Sequence, residues 1–307
     1  MSLRINTNVS AANAYRNLSV NDKAVSGSLE KLSSGLRINR AADDAAGLSI
    51  SEGLKSQIGG LTVAARNAQD GVNVAQIADG ALSETSSILQ RMRDLAVQAA
   101  NTGSQDADAQ KAADTEFAAL GKELTRIAGS TMFGSQSLLG GTYEGKFQVD
   151  SAAYDATNNP GAQIGLDLTS DTIEAMTESA AGLADGITGL DAESLGLGDP
   201  DAADPTTRTN LLDGDAATAA ITQLDTAIKG VSAVRSSIGA IQNRFEHTIN
   251  NVNVAIENLS ASKSSITDTD MAQEMVKFSK NQILQQAGTS MLAQANQSGQ
   301  GVLKLLG

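Results

Sequence analysis

Residues 221–259, ITQLDTAIKGVSAVRSSIGAIQNRFEHTINNVNVAIENL, decide the architecture. Ile221, Leu224, Ile228, Val231, Val234, Ile238, Ile241, Phe245, Ile249, Val252, Ile256 and Leu259 recur in steps of three and four, with one stutter from Val231 to Val234. A mean step near 3.5 is the spacing of a coiled-coil seam, whereas a strand alternates with period two. At about 1.5 Å per residue the stretch predicts a helix on the order of 58 Å long. A lone rod leaves such a row of apolar side chains in water, so other helices must cover it.

A second seam lies upstream. Ile50, Leu54, Ile58, Leu61, Ala65, Ala68, Val72, Ala75, Leu82, Leu89 and Met92 predict a helix over 45–100, roughly 80 Å long and softened by alanine. A third helix is expected near 105–128, after a turn at Asn101-Thr102-Gly103-Ser104, with Gly134, Gly140 and Gly141 marking its end. Two-fold alternation then sets in at Phe147 and Val149 and again at Ile164, Leu166 and Leu168. With Asn158-Asn159-Pro160-Gly161 between, this predicts a β-hairpin near 143–169. The expected fold class is mainly α, a long antiparallel helical bundle or coiled coil of N- and C-terminal arms with a small β-hairpin region.

Composition supports elongated packing over a bulky core. All three prolines, Pro160, Pro200 and Pro205, lie in the middle, so both arms lack the residue that breaks helix interiors. Aromatic content is 3% and tryptophan is absent, while small side chains suit close helix approach. Residues 150–215 hold 14 of the 35 acidic side chains and only one basic residue, Arg208, so the whole net charge of −13 sits there. Residues 171–213 therefore read as a short acidic surface segment.

Several chemistries fail on inventory. His247 is the single histidine and cysteine is absent, which removes His clusters and thiolate catalysis. Asp199, Asp201 and Asp204 have a faint calcium-loop spacing, but Pro200 and Pro205 disturb it, and Gly196-Leu197-Gly198 lacks a surrounding phosphate loop. No basic stripe suits nucleic acid. No catalytic site, metal or cofactor is expected, and no membrane insertion. The opening residues Met1–Asn6 have no apolar run, so export is expected to proceed without a cleaved signal.

The two chain ends carry matched stripes. Leu18, Val25, Leu29, Leu32 and Leu36 lie near the start, and Met271, Met275, Phe278, Ala287, Met291 and Ala295 near the finish, followed by Val302, Leu305 and Leu306. Each has a breaker on its inner side, Ser33-Ser34-Gly35 and Ser264-Ser265-Ile266-Thr267, and Thr267 is expected to cap the last helix with Asp270 three residues on. Short helices rich in Ser, Asn and Gln are marginal alone, so both ends are expected to be loose in a monomer and to order in an assembly.

At these residues a resemblance becomes specific. Leu32-Ser33-Ser34-Gly35-Leu36-Arg37-Ile38-Asn39, Asp43-Asp44-Ala45-Ala46-Gly47-Leu48, Ala64-Ala65-Arg66-Asn67-Ala68-Gln69-Asp70-Gly71 and Leu89-Gln90-Arg91-Met92-Arg93-Asp94-Leu95-Ala96-Val97-Gln98 resemble the N-terminal region of bacterial flagellin. Ile238-Gly239-Ala240-Ile241-Gln242-Asn243-Arg244-Phe245, Ile283-Leu284-Gln285-Gln286-Ala287-Gly288 and Leu292-Ala293-Gln294-Ala295-Asn296-Gln297 are similar to its C-terminal region. The resemblance implies a subunit that polymerises into the flagellar filament for swimming, secreted through the flagellum's own type III export channel. It implies an inner terminal-helix domain, 1–44 with 266–307, and a rod-like domain, 45–170 with 214–265; large outer domains do not fit in 171–213.

Implied partners are further copies of the chain, an export chaperone on the C-terminal helix, a filament cap and hook-junction proteins. Filament assembly is expected to use Leu18, Val25, Leu29, Leu32, Leu36, Met275, Phe278, Met291, Leu305 and Leu306. Arg91, Leu95 and Glu116 resemble positions that engage the flagellin-sensing Toll-like receptor of animal hosts. The competing readings are a hook–filament junction protein, which shares the terminal helices, and a secreted enzyme with its site in the centre. One departure is Gly299, where the family commonly has proline, which loosens the turn before Gln300-Gly301-Val302-Leu303.

The acidic centre gives the first testable expectation. Fourteen carboxylates repel when buried together, whereas water and salt screen them on an exterior within about 8 Å. Replacing residues 175–208 by a short Gly-Ser linker is expected to leave filaments able to form, with altered surface charge, as electron microscopy and electrophoretic mobility would show.

Overall fold

The computed structural model describes residues 8–104, 106–169, 211 and 214–306, with side chains through residue 297. The acidic segment expected at 171–213 lies outside the described residues apart from Leu211. In chain order the elements are α1 (Val9–Ser34), α2 (Ala45–Ala99), α3 (Ala107–Ser130), β1 (Met132–Phe133), β2 (Gln136–Ser137), β3 (Thr142–Gln148), a 3-10 turn at Pro160–Ala162, β4 (Gln163–Thr169), α4 (Gly214–Thr267) and α5 (Met271–Leu306). They fall into two compact units, Gly59–Ile256 and Met1–Ile58 with Glu257–Gly307.

The unit Gly59–Ile256 is organised by the two seams. The seam on α2 becomes fully covered from Ala68 through Val72, Ala75, Leu82, Leu89 and Met92, and that on α4 at Leu224, Val231, Val234, Ile238 and Phe245. As α2 rises through Gly71, Asp79 and Arg93, their partners on α4 fall through Phe245, Arg235 and Asp225, so the helices run antiparallel. Two ion pairs flank the seam, Arg93 Nε to Asp225 Oδ1 at 2.6 Å and Arg235 Nε to Asp79 Oδ1 at 2.9 Å. Arg93 holds the Asp225 carboxyl below its ordinary range by donating a hydrogen bond to it. All four side chains remain partly exposed, so these pairs chiefly fix register.

Helix α3 adds Ala113, Phe117, Leu124 and Ile127 to the same core, with Asp106 capping its start through Ala109 N at 2.8 Å. It ends at Ser130, ahead of the expected glycine stop. The glycines serve tighter turns instead: Gly134, at φ 64°, links the short strands β1 and β2, and Gly141, at φ 76°, precedes β3. The β1–β2 ladder is too short for periodicity to reveal.

The hairpin forms as the alternation predicts. Strands β3 and β4 pair antiparallel from Thr142 opposite Thr169 to Gln148 opposite Gln163. Ile164, Leu166 and Leu168 point into the core, and Phe147 meets Phe245 edge to face with ring centroids 5.4 Å apart. Near the return of the chain, the buried Asp114 accepts a hydrogen bond from Leu211 N at 3.0 Å, which seats the fully buried Leu211. Nothing in the sequence distinguished Asp114 from an exposed acid.

Gly71 makes room for the aromatic pair. A Cβ there would stand 2.5 Å from Phe245 Cζ. Phe245→Ala is expected to destabilise the folded monomer by about 3–5 kcal/mol, and Gly71→Ala by about 1–3 kcal/mol through overpacking. In thermal melts the cost of Gly71→Ala should shrink sharply in a Phe245→Leu background; additive losses would show that the two residues do not share the contact.

Candidate functional site in the paired terminal helices

The second unit, Met1–Ile58 with Glu257–Gly307, brings the two chain ends together. Helix α1 starts at Asn8, whose side chain accepts from Ala11 N at 3.0 Å, and stops at Gly35, which adopts the left-handed conformation at φ 72°. That conformation costs glycine little, and Gly35 N donates to Lys31 O at 2.9 Å to close the helix.

The break at the other end falls later than the serines suggested. Ser264, Ser265 and Ile266 remain helical and Thr267 is the last residue of α4. Thr267 Oγ1 lies within hydrogen-bond distance of two acceptors for its one proton, Lys263 O at 3.0 Å and Asp268 Oδ1 at 2.9 Å. The cap of α5 is Asp270, whose Oδ1 accepts from Ala272 N at 2.9 Å and Gln273 N at 3.1 Å. Serine and threonine can bond back to carbonyls within a helix, so their run did not break it, whereas Asp-Thr-Asp at 268–270 did.

The two connectors are stitched to each other. Arg37 N donates to Thr267 O at 2.7 Å, Thr269 N donates to Gly35 O at 3.0 Å, and Leu36 and Asp268 form an antiparallel bridge. The Arg37 guanidinium donates to Ile266 O at 2.6 Å, placing a cation at the C-terminus of α4. The entry and exit of the terminal pair are thus held as one junction.

Beyond it, α1 and α5 form an antiparallel coiled coil. The less exposed positions include a row of Ala11, Ala14, Leu18, Asn21, Val25, Ser28 and Leu32 on α1, flanked by Gly27, Glu30 and Lys31, and a row of Glu274, Phe278, Asn281, Gln285, Gly288, Leu292 and Ala295 on α5. Both rows step by three and four. Asn8 Nδ2 donates to Ala295 O at 2.9 Å, Gln285 Nε2 donates to Asp22 Oδ1 at 2.8 Å, and a Cβ on Gly288 would stand 3.4 Å from Leu18 Cδ1. Glu274 is 5% exposed; a hydrogen bond from Ser28 and the nearby Lys277 ammonium hold its carboxyl below the ordinary range. Polar residues at seam positions lower stability and fix register.

The expected assembly residues fall on two faces. Leu18, Val25, Leu32 and Phe278 are half-buried, whereas Leu29, Leu36, Met275 and Met291 are exposed. The side chains of Leu305 and Leu306 lie outside the described residues. The outer face also carries Tyr15, Val20, Val276 and Ile283, the last two 69% and 66% exposed. A second row on α5 through Ala272, Val276, Ile283 and Ala287, opposite the first, steps by four, seven and four, and that spacing is the signal in the sequence that finds it.

Of the receptor-like residues, Arg91 and Glu116 form an ion pair at 2.6 Å with both side chains partly exposed, whereas Leu95 is 3% exposed within the core of the other unit. Among the described residues no group of three or more His, Cys, Asp or Glu side chains could hold a metal, and no helix is long and apolar enough to cross a membrane.

This is a protein of long paired helices whose distant chain ends meet and leave an apolar face open. Residues 5–144 match the family described as bacterial flagellin N-terminal helical region, and residues 221–306 match bacterial flagellin C-terminal helical region. The chain is 48% identical to flagellin of Bacillus subtilis over 99% of its own length and 100% of that protein. It is 43% identical to the flagellar filament 33 kDa core protein of Treponema phagedenis over 98% of its length and 99% of that protein. A putative flagellar hook-associated protein from Vibrio parahaemolyticus, 13% identical with a TM-score of 0.55 over 74% of this chain and all of that one, shares the fold alone. The chain belongs to the bacterial flagellin family, the structural subunits of the flagellar filament.

The junction and the coiled coil depend on ionised carboxylates. Asp268, held down by hydrogen bonds from Ser264 and Thr267, and Glu274 both titrate below their reference values of 3.8 and 4.5. Their stabilisation is complete above those values and is lost as pH falls through the lower folded-state values. Acidification is therefore expected to unpair α1 and α5, measured by hydrogen exchange at residues 9–34, and Glu274→Gln should shift that transition to higher pH; an unshifted transition would remove Glu274 from the account.

Proposed function

We propose that the terminal pair is the part of this filament subunit that other copies grip. The observation that carries this is the open outer face of α1 and α5: Tyr15, Val20, Leu29, Val276, Ile283 and Met291 are all more than half exposed on helices already paired along their other side. Apolar surface of this extent on a solvated helix pair favours association. On this reading residues 1–44 with 266–307 form the filament's inner part, 45–170 with 214–265 a rod outside it, and the acidic 171–213 the exterior. Leu18, Val25, Leu32 and Phe278 set the helix pair, and Leu29, Leu36, Met275 and Met291 meet neighbours. Leu305 and Leu306 extend the same role to the chain end.

The role is structural and not enzymatic. Export proceeds through the flagellum's own channel, with a chaperone covering α5 until delivery. Cap and hook-junction proteins are met at the two ends of the filament. A host receptor of the Toll-like class would meet Arg91 and Glu116 at the surface, with Leu95 supporting α2 from beneath.

Truncation separates assembly from folding of the rod. Deleting residues 1–40 or 266–307 is expected to leave a soluble, helical monomer that forms no filaments by electron microscopy or sedimentation. Filaments of normal length from both truncations would overturn the assignment.

A further inference from the structure

Three of the five methionines among the described residues lie on one helix. Cysteine and tryptophan are absent, which leaves methionine thioethers as the groups most readily oxidised by two electrons. Among the described residues, Met92 is fully buried in the core between α2 and its neighbours. Met132 is exposed on the short strand β1, and the other three, Met271, Met275 and Met291, all lie on α5 at 47%, 50% and 64% exposure. Met275 and Met291 lie outside the row that faces α1, so their oxidation would leave the helix pair itself intact; Met271, seven residues before Phe278, is in phase with that row at its exposed start. Met275 and Met291 lie instead on the surface that the helix pairing leaves exposed.

We propose that the exposed methionines of α5, Met275 and Met291 foremost, make the subunit oxidation-sensitive, so that peroxide withdraws unassembled subunits from polymerisation. The proposal rests on the reading of α5 as an assembly helix. In the reaction the thioether sulfur attacks one peroxide oxygen, the O–O bond breaks, and an S=O bond forms. The departing oxygen leaves as water after taking up a proton, so sulfur loses two electrons and the peroxide gains them. The product replaces a flexible apolar side chain by a polar one that a dry interface leaves without a partner. Methionine tolerates irregular packing and is exchangeable with leucine at nearly constant volume, so the site can be made inert without emptying the surface.

The test treats purified full-length monomer with limiting hydrogen peroxide. Each methionine is then followed by peptide mass spectrometry and polymerisation by sedimentation. Sulfoxide is expected at Met271, Met275 and Met291 while Met92 is spared. The monomer concentration needed for polymerisation should rise about tenfold, the factor corresponding to roughly 1.4 kcal/mol per added subunit. Methionine sulfoxide reductases should reverse the rise, and the variant Met271→Leu, Met275→Leu, Met291→Leu should polymerise equally well before and after treatment. Full polymerisation by oxidised protein, or equal loss in the leucine variant, overturns the proposal; the reductase arm decides it if that variant assembles poorly. Peroxide applied to finished filaments distinguishes the underlying reading: protection of Met275 and Met291 supports burial between copies, whereas oxidation as fast as in the monomer overturns the assembly role of α5 and with it the proposal.

Discussion

A row of apolar side chains along a rod roughly 80 Å long is not buried by anything local, and this constraint governs the molecule. The seam on α2 needs a partner of similar length, and α4, on the far side of the acidic segment, supplies it in antiparallel register. Everything else in that unit adapts to the closure. Alanines at 68, 75 and 78 bring the rods together, Gly71 admits the ring of Phe245, and Phe147 on the hairpin covers that ring edge-on. Because the two halves come from opposite ends of the chain, the termini are delivered to each other and α1 and α5 can pair.

The terminal pair satisfies the same constraint only in part. One face of each helix is covered by the other, through a seam diluted by Asn21, Ser28, Glu274, Asn281 and Gln285. Such a seam specifies alignment more than it stabilises. The opposite faces, with Val276 and Ile283, have no cover among the described residues, and on the proposed reading further copies supply it. On that reading, modest pairing within the subunit and an apolar remainder outside it are the physical terms of polymerisation, because association supplies the missing burial.

Long-range periodicity made most of this legible before any coordinates. The α2 and α4 seams and the β3–β4 hairpin each rest on repeats that can be read, and α3 was placed by the turn before it and the glycines after it. What escaped was local or conditional. The β1–β2 ladder has no period, and the α4–α5 break depends on which of several capping residues is used, Asp270 and not Thr267. Ile50 fits the heptad of α2 yet is 56% exposed, because a seam position is buried only where a partner lies over it. Asp114 and Glu274 look like surface acids in sequence, whereas in the fold Asp114 accepts from Leu211 N and Glu274 is held by Ser28 and Lys277. The terminal residues were recognised as a set, but their division between inward and outward faces needed the register of the pair.

The central claim is that the outer face of α5 is buried between subunits and nowhere else. Polymerisation of a Val276→Asp, Ile283→Asp variant, measured beside the thermal melt of its monomer, tests it directly. The account predicts a monomer that melts with the parent and forms no filaments; filaments formed at the parental rate, or a monomer that loses its fold, would contradict it.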